Sequence, residues 1–131
     1  MTDEAKDEQV ERLFTPGEAR AALRLLQVEI AHLRELVEEA EREGALGNDE
    51  RLHLLKERME DAVIAIRARG VTVKGLSPLL LDFPGRRYGA DVWLCWKDGE
   101  RDVLHWHPRH KGFADRRPLD DEKPGAFEYA N

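Results

Sequence analysis

Cys95, His105 and His107 are the residues of this chain best suited to chemistry, because thiolate and neutral imidazole serve as nucleophiles, bases and transition-metal ligands. They lie between Val92 and His107, a stretch that holds all three tryptophans, the only cysteine and two of the five histidines. Spacing sets what they can do together. Alternate residues of a strand point the same way, so His105 and His107 share a face, and a paired strand can bring Cys95 beside them. Such a trio binds zinc or another transition metal if a fourth ligand comes from His110, Asp82 or Asp91. No CxxC or HxxxH spacing supports a metal centre, so the expectation is no metal and no cofactor. A second possibility is catalysis, with Cys95 as nucleophile, His107 as its base and Asp82 or Glu100 orienting the histidine. Lone cysteines on strands are more often inert core residues. Trp93, Trp96 and Trp106 can stack a flat ligand, although in a chain of this size tryptophans more often form the core.

The element that positions these residues is a β-hairpin. Asp98-Gly99 is flanked by runs rich in Val, Leu and Trp, and both turn residues tolerate positive φ. A two-residue turn sets Lys97 opposite Glu100 and Trp96 opposite Arg101. A bulge at Gly99 instead sets Trp96 opposite Glu100 and Val92 opposite Leu104, and is the favoured register. It gives one apolar face of Val92, Leu94, Trp96, Leu104 and Trp106. The other face carries Trp93, Cys95, Val103, His105 and His107.

Upstream, Thr15-Pro16-Gly17-Glu18 reads as a helix start with a capping box, and Phe14 stands where a hydrophobic staple would. Leu23, Leu26, Ile30, Leu33, Val37 and Ala40 follow at coiled-coil spacing, giving a helix to about Arg42 that Gly44 can end. Asn48 or Asp49 caps a second helix with a stripe of Leu52, Leu55, Met59, Ala62 and Ile66, which Gly70 stops. A short loop makes the pair an antiparallel hairpin over residues 15–69. Leu25, Val28 and Leu36 lie on nearly the opposite face of the first helix, which points to a homodimer formed through the helical hairpin.

After Gly70 the pattern turns to β. Val71 to Gly75 is a β-prone turn, and Leu79 to Phe83 a strand ended by Pro84, so residues 71–107 form a three-stranded antiparallel meander. Residues 1–13 read as a frayed arm, residues 108–131 as a wrapping loop and tail, and the last dozen as disordered. The 131 residues form a single domain, of α+β class.

Charge narrows the partners. The net charge is −6, yet residues 70–117 carry 9 basic against 6 acidic side chains. Arg86, Arg87, Lys111, Arg116 and Arg117 can form an anion-binding patch, or a solvated rim around a small sheet. Nucleic acid is not expected as a partner. With no basic leader, no apolar run and one cysteine that has no partner for an internal disulfide, the chain reads as soluble and cytoplasmic, away from membranes.

Phe14-Thr15 with Glu18-Ala19, Gly70-Val71 with Lys74, Leu81-Asp82-Phe83-Pro84, Leu94-Cys95-Trp96, Gly99-Glu100, Trp106-His107, Gly112-Phe113-Ala114 and Arg116 with Pro118-Leu119 occur in that order. This succession resembles the uncharacterised prokaryotic domain-of-unknown-function family 2203, over about residues 14–119. The resemblance points to Asp82, Cys95, Glu100, Trp106, His107 and Arg116 as the family-pattern polar and aromatic positions. His105 stands where the family usually has tyrosine, and Asp115 where it usually has glycine. The family has no established activity, so it imports no function.

Two functional readings follow. One is a protein-interaction or oligomerisation module built on the helices. The alternative is a small enzyme or anion-binding domain with a site at Asp82, Cys95, His107 and Arg116, where arginine would hold a carboxylate or phosphate and Trp106 would line the ligand. The sequence leaves open whether the chain is an enzyme. A purely structural pairing of Asp82 with Arg116 also accounts for part of this set.

Overall fold

Thr15 opens the first helix with a reciprocal cap: its side chain accepts from the Glu18 N–H at 3.2 Å, and the Glu18 carboxylate accepts from the Thr15 N–H at 2.9 Å. The computed structural model describes residues 11–129. In it α1 spans Pro16–Leu25, α2 Gln27–Ala45 and α3 Asp49–Arg67. The helix expected to run unbroken to Arg42 is interrupted at Leu26. There the Leu26 N–H is shared between the Ala22 carbonyl at 3.0 Å and the Leu23 carbonyl at 3.2 Å, and the Leu23 carbonyl also accepts from the Gln27 side-chain amide at 2.8 Å. The apolar stripe crosses the break intact, with Leu23, Leu26, Ile30, Leu33 and Ala40 buried. The left-handed residue after α2 is Gly47 rather than Gly44, with φ of +74°. Asn48 caps α3, and the short connection lays α3 back along α2.

The β region is larger than the expected three-stranded meander. Five strands, β1 Thr72–Leu76, β2 Leu79–Arg87, β3 Ala90–Lys97, β4 His105–Pro108 and β5 Arg117–Pro118, pair antiparallel in chain order. The fold class is α+β. Pro84 does not end β2. Its carbonyl accepts from the Phe14 N–H at 2.7 Å, away from β3, and its ring nitrogen points the same way. No ladder bond to β3 is therefore lost, and none to β1, which stops at the Thr72–Asp82 pair before reaching Pro84.

The hairpin adopts neither expected register. Trp93 pairs with His107 and Cys95 with His105, four residues beyond the bulge register. Glu100 N–H still closes a turn onto the Lys97 carbonyl at 2.9 Å, but residues 100–104 then form a loop. A shift by an even number of residues preserves the faces. Val92, Leu94, Trp96 and Trp106 are buried in one core with Leu81, Phe83 and the helical stripes, and Cys95, His105 and His107 face the other way. Val103, expected on the polar face, lies in the core instead, because it precedes β4 in the loop.

Both ends of the described chain are tied down. Leu13 is buried and Glu11 pairs with Arg109, so residues 11–13 are docked rather than frayed; residues 1–10 of the expected arm lie outside the described residues. Residues expected to be disordered wrap back: Ala126 and Phe127 are buried, Phe127 meets the Trp106 ring edge to face, and Phe127 bridges to Arg87. Residues 130–131 lie outside the description. No helix among the described residues is long and apolar enough to cross a membrane.

Candidate functional site

Strand alternation sets Asp82 beside Cys95 across β2 and β3, and His107 one pair further along on β4. All three are buried, and one ligand atom of each lies within 4.8 Å of the others. His107 Nε2 stands 3.5 Å from Asp82 Oδ2. Its Nδ1 donates at 2.9 Å to the Pro108 carbonyl, an acceptor only, which leaves Nε2 turned toward Asp82.

Lys74 joins them through a β-bulge. The pairing of β1 with β2 shifts between Val73 and Gly75, and the intervening residue is turned out of the ladder. Its ammonium lies 3.3 Å from Asp82 Oδ2 and 4.2 Å from the centre of the Trp93 ring. Above this floor, Lys74, Leu80, Trp96, Lys111, Gly112 and Phe113 wall a cleft of about 150 Å³. Larger hollows exist, but neither contains a buried titratable side chain. One is lined by Pro16, Leu119 and Tyr129, the other by Arg34, Glu41 and Asp98.

Burial pushes the Asp82 carboxyl above its ordinary range, against the opposing charges of His107 and Lys74. Burial likewise pushes the Cys95 thiol up to about 12, although Arg116 beside it pulls the other way. Unaided, Cys95 is a neutral thiol at physiological pH and a poor nucleophile.

Arg116 is not free to hold an anion. Its Nη1 donates to both Glu100 carboxylate oxygens, at 2.8 and 3.0 Å, and approaches Cys95 Sγ at 4.0 Å. Asp82 and Arg116, a possible structural pair in the sequence, thus have different partners. Glu100 also accepts from the Lys97 N–H at 2.8 Å, so it braces the turn and stands outside the buried trio. His105 turns toward Glu100, with Nδ1 3.8 Å from Oε2, and is not part of the cleft. Trp106 is on the helix-facing side, where the Arg87 guanidinium covers its ring at 4.6 Å. Three of the five cations of the basic patch are paired, Arg86 with Asp91, Arg87 with Glu122 and Arg116 with Glu100, whereas Lys111 stands in the wall of the cleft.

The family model described as uncharacterized conserved protein (DUF2203) matches residues 12–119. The chain belongs to this family. No curated protein and no solved structure matches it. The DUF2203 match takes in every residue of the cleft, including Lys111, expected in a basic patch, and Lys74, Gly112 and Phe113, which reasoning from single residues did not select. Their signal was positional, since Lys74 and Gly112-Phe113 stand among the residues that carry the DUF2203 resemblance.

Proposed function

We propose that this DUF2203 protein binds a small anionic ligand, a carboxylate or phosphate, in the cleft over Asp82, Cys95 and His107. The carrying observation is that Asp82 and His107, each about 5% exposed or less, converge on a cleft whose wall carries two lysines. Buried titratable groups cost stability unless they are used, and their convergence on a cavity is a mark of a site. The lysines take the part expected of Arg116, which Glu100 occupies. About 150 Å³ equals the share of about five waters, so the ligand is of phosphate or small-carboxylate size. With His107 as an internal base, binding can be coupled to proton transfer. A free, buried Cys95 suits a reducing, cytoplasmic setting.

Trp93 and Trp96 beside the site supply a fluorescence probe. Titration with inorganic phosphate and with acetate is expected to give a saturable change for at least one of them, weakened about tenfold or more by Lys74→Met. No saturable change with either anion, or an unaltered response in Lys74→Met, would overturn the reading.

The oligomeric reading keeps one specific support. Leu25 and Val28, three residues apart on the helical surface, are 70% and 80% exposed, whereas Leu36 of the same expected stripe is buried within the chain. A dimer through this shortened face predicts a light-scattering mass twice the 15.1 kDa of the chain, falling to the monomer in Leu25→Glu. A monomer at micromolar concentration removes that reading.

A further inference from the structure

We propose that Asp82, Cys95 and His107 bind a divalent transition metal of the zinc class, with the fourth coordination position open to the cleft. The site is the one described above, but its metal does not depend on an anion occupying the cleft.

The donor set and its spacing carry the proposal. Carboxylate oxygen, thiolate sulfur and imidazole nitrogen are the three donors that zinc takes from proteins, at about 2.0–2.3 Å, which places tetrahedral ligand atoms about 3.3–3.6 Å from one another. Asp82 Oδ2 and His107 Nε2 already stand 3.5 Å apart. All three donors lie within 4.8 Å of one another, so closing on an ion requires movements of about an ångström at most. Calcium and magnesium favour oxygen ligands and would gain nothing from the sulfur.

A second observation is the orientation and burial of the donors. The Pro108 carbonyl accepts from His107 Nδ1, which turns Nε2 toward Asp82 Oδ2, and the two residues are 4% and 5% exposed. Lys74 reaches the same carboxylate oxygen from the solvent side, 39% exposed. A metal ion would take Oδ2, Nε2 and Sγ together. The surroundings match what metal ligands need: Pro108 O fixes the histidine tautomer, Lys74 holds the carboxylate, and Arg116 stands 4.0 Å from the sulfur.

Loading the site is a simple exchange. The M²⁺ ion forms bonds to Oδ2, Nε2 and Sγ, the thiol proton leaves to solvent, and nothing is oxidised or reduced. Three protein ligands and an exchangeable position form a catalytic type of zinc site rather than a closed structural one. The set differs from Cys95, His105 and His107 by exchange of His105 for Asp82. That exchange brings a metal into a chain whose motif spacing predicted none.

The test uses the full chain, stripped with a chelator and titrated with Zn²⁺ in competition with a chromogenic chelator, and separately with Co²⁺. One ion per chain is expected, with thiolate-to-cobalt charge-transfer absorption and a higher melting temperature on zinc loading. Cys95→Ser should abolish the charge-transfer band. Cys95→Ser, Asp82→Asn and His107→Gln should each weaken zinc binding by about a hundredfold or more, at or above the loss seen when only the partner of a ligand is removed. His105→Gln should bind as the parent does, which separates this trio from one containing His105. Circular dichroism establishes that each variant is folded. The absence of stoichiometric uptake at micromolar zinc, or uptake that survives both Cys95→Ser and Asp82→Asn, overturns the proposal. Phosphate titration of the stripped and zinc-loaded chain separates the two readings. Phosphate binding without metal uptake leaves the anion site and removes the metal, whereas metal uptake without binding of either anion does the reverse.

Discussion

Replacing Phe83 with alanine is expected to lower the unfolding free energy by about 3–5 kcal/mol, the range for a large aromatic removed from a tight core. Phe83 is fully buried, and its ring meets Phe14 edge to face, with centroids 5.4 Å apart and planes at 77°. Phe14 is also the residue whose N–H docks on Pro84, immediately before the cap that starts α1. The substitution therefore empties the core and loosens the seating of the first helix on the sheet. Urea denaturation should show a lower midpoint with an unchanged slope, and a melting temperature lower by on the order of 10–20 °C. Leu46→Ala, at a side chain 77% exposed, should stay within about 0.5 kcal/mol of the parent. A Phe83→Ala chain as stable as Leu46→Ala would contradict the core described above.

Glu100→Ala is expected to cost about 2–3 kcal/mol and to make Cys95 more reactive. The Glu100 and Arg116 side chains are 19% and 16% exposed, so removing the carboxylate strands a largely buried guanidinium, for which a fully buried pair would cost about 3–5 kcal/mol. The second effect comes from what Arg116 does next. In the parent, a thiol pushed up to about 12 should react with iodoacetamide far more slowly than free cysteine. Released from Glu100, the guanidinium 4.0 Å from Sγ has the thiolate as its nearest attraction, so the alkylation rate near pH 8 should rise. The double variant Glu100→Ala with Arg116→Ala should lose the gain in rate and recover part of the stability, because no unpaired guanidinium is left. Equal rates in the parent and Glu100→Ala would rule out this influence of Arg116 on Cys95.

The helices were legible because their signals are local. Thr15, Pro16 and Glu18 cap within four residues, and the stripe from Leu23 to Ala40 repeats at helical spacing. The interruption at Leu26, where one N–H is shared between two carbonyls, is a local detail that no periodicity encodes. In the hairpin, the register was missed, yet within the paired strands the faces were not, because pairing four residues further along leaves odd and even positions where they were; Val103, in the loop before β4, escapes that parity. Cys95 and His107 could therefore be placed on one face of the strand pair from residue parity alone, with Asp82 named only as a possible companion. Lys74 could not, since its approach depends on a bulge. Nor could the pairing of Arg116 with Glu100, which depends on a loop returning from residues 109–116 over the sheet. Pro84 reads as a stop in sequence because the free edge that tolerates it is a property of where β1 ends.

The five strands lie in the sheet in the order in which they occur in the chain. As the polypeptide is synthesised, each new strand meets the edge left by its predecessor, and no earlier pair must open to admit it, a topology that favours rapid assembly. The helices and β1 to β3 can be in place while the segment carrying Lys111, Phe113 and Arg116 has yet to emerge. Asp82 and Cys95 then wait on an open sheet for His107 and finally for the wall of the cleft. The catalogue of a nascent chain would show the scaffold early and the binding site as its last acquisition, so a ligand or ion can be captured only once the fold is complete.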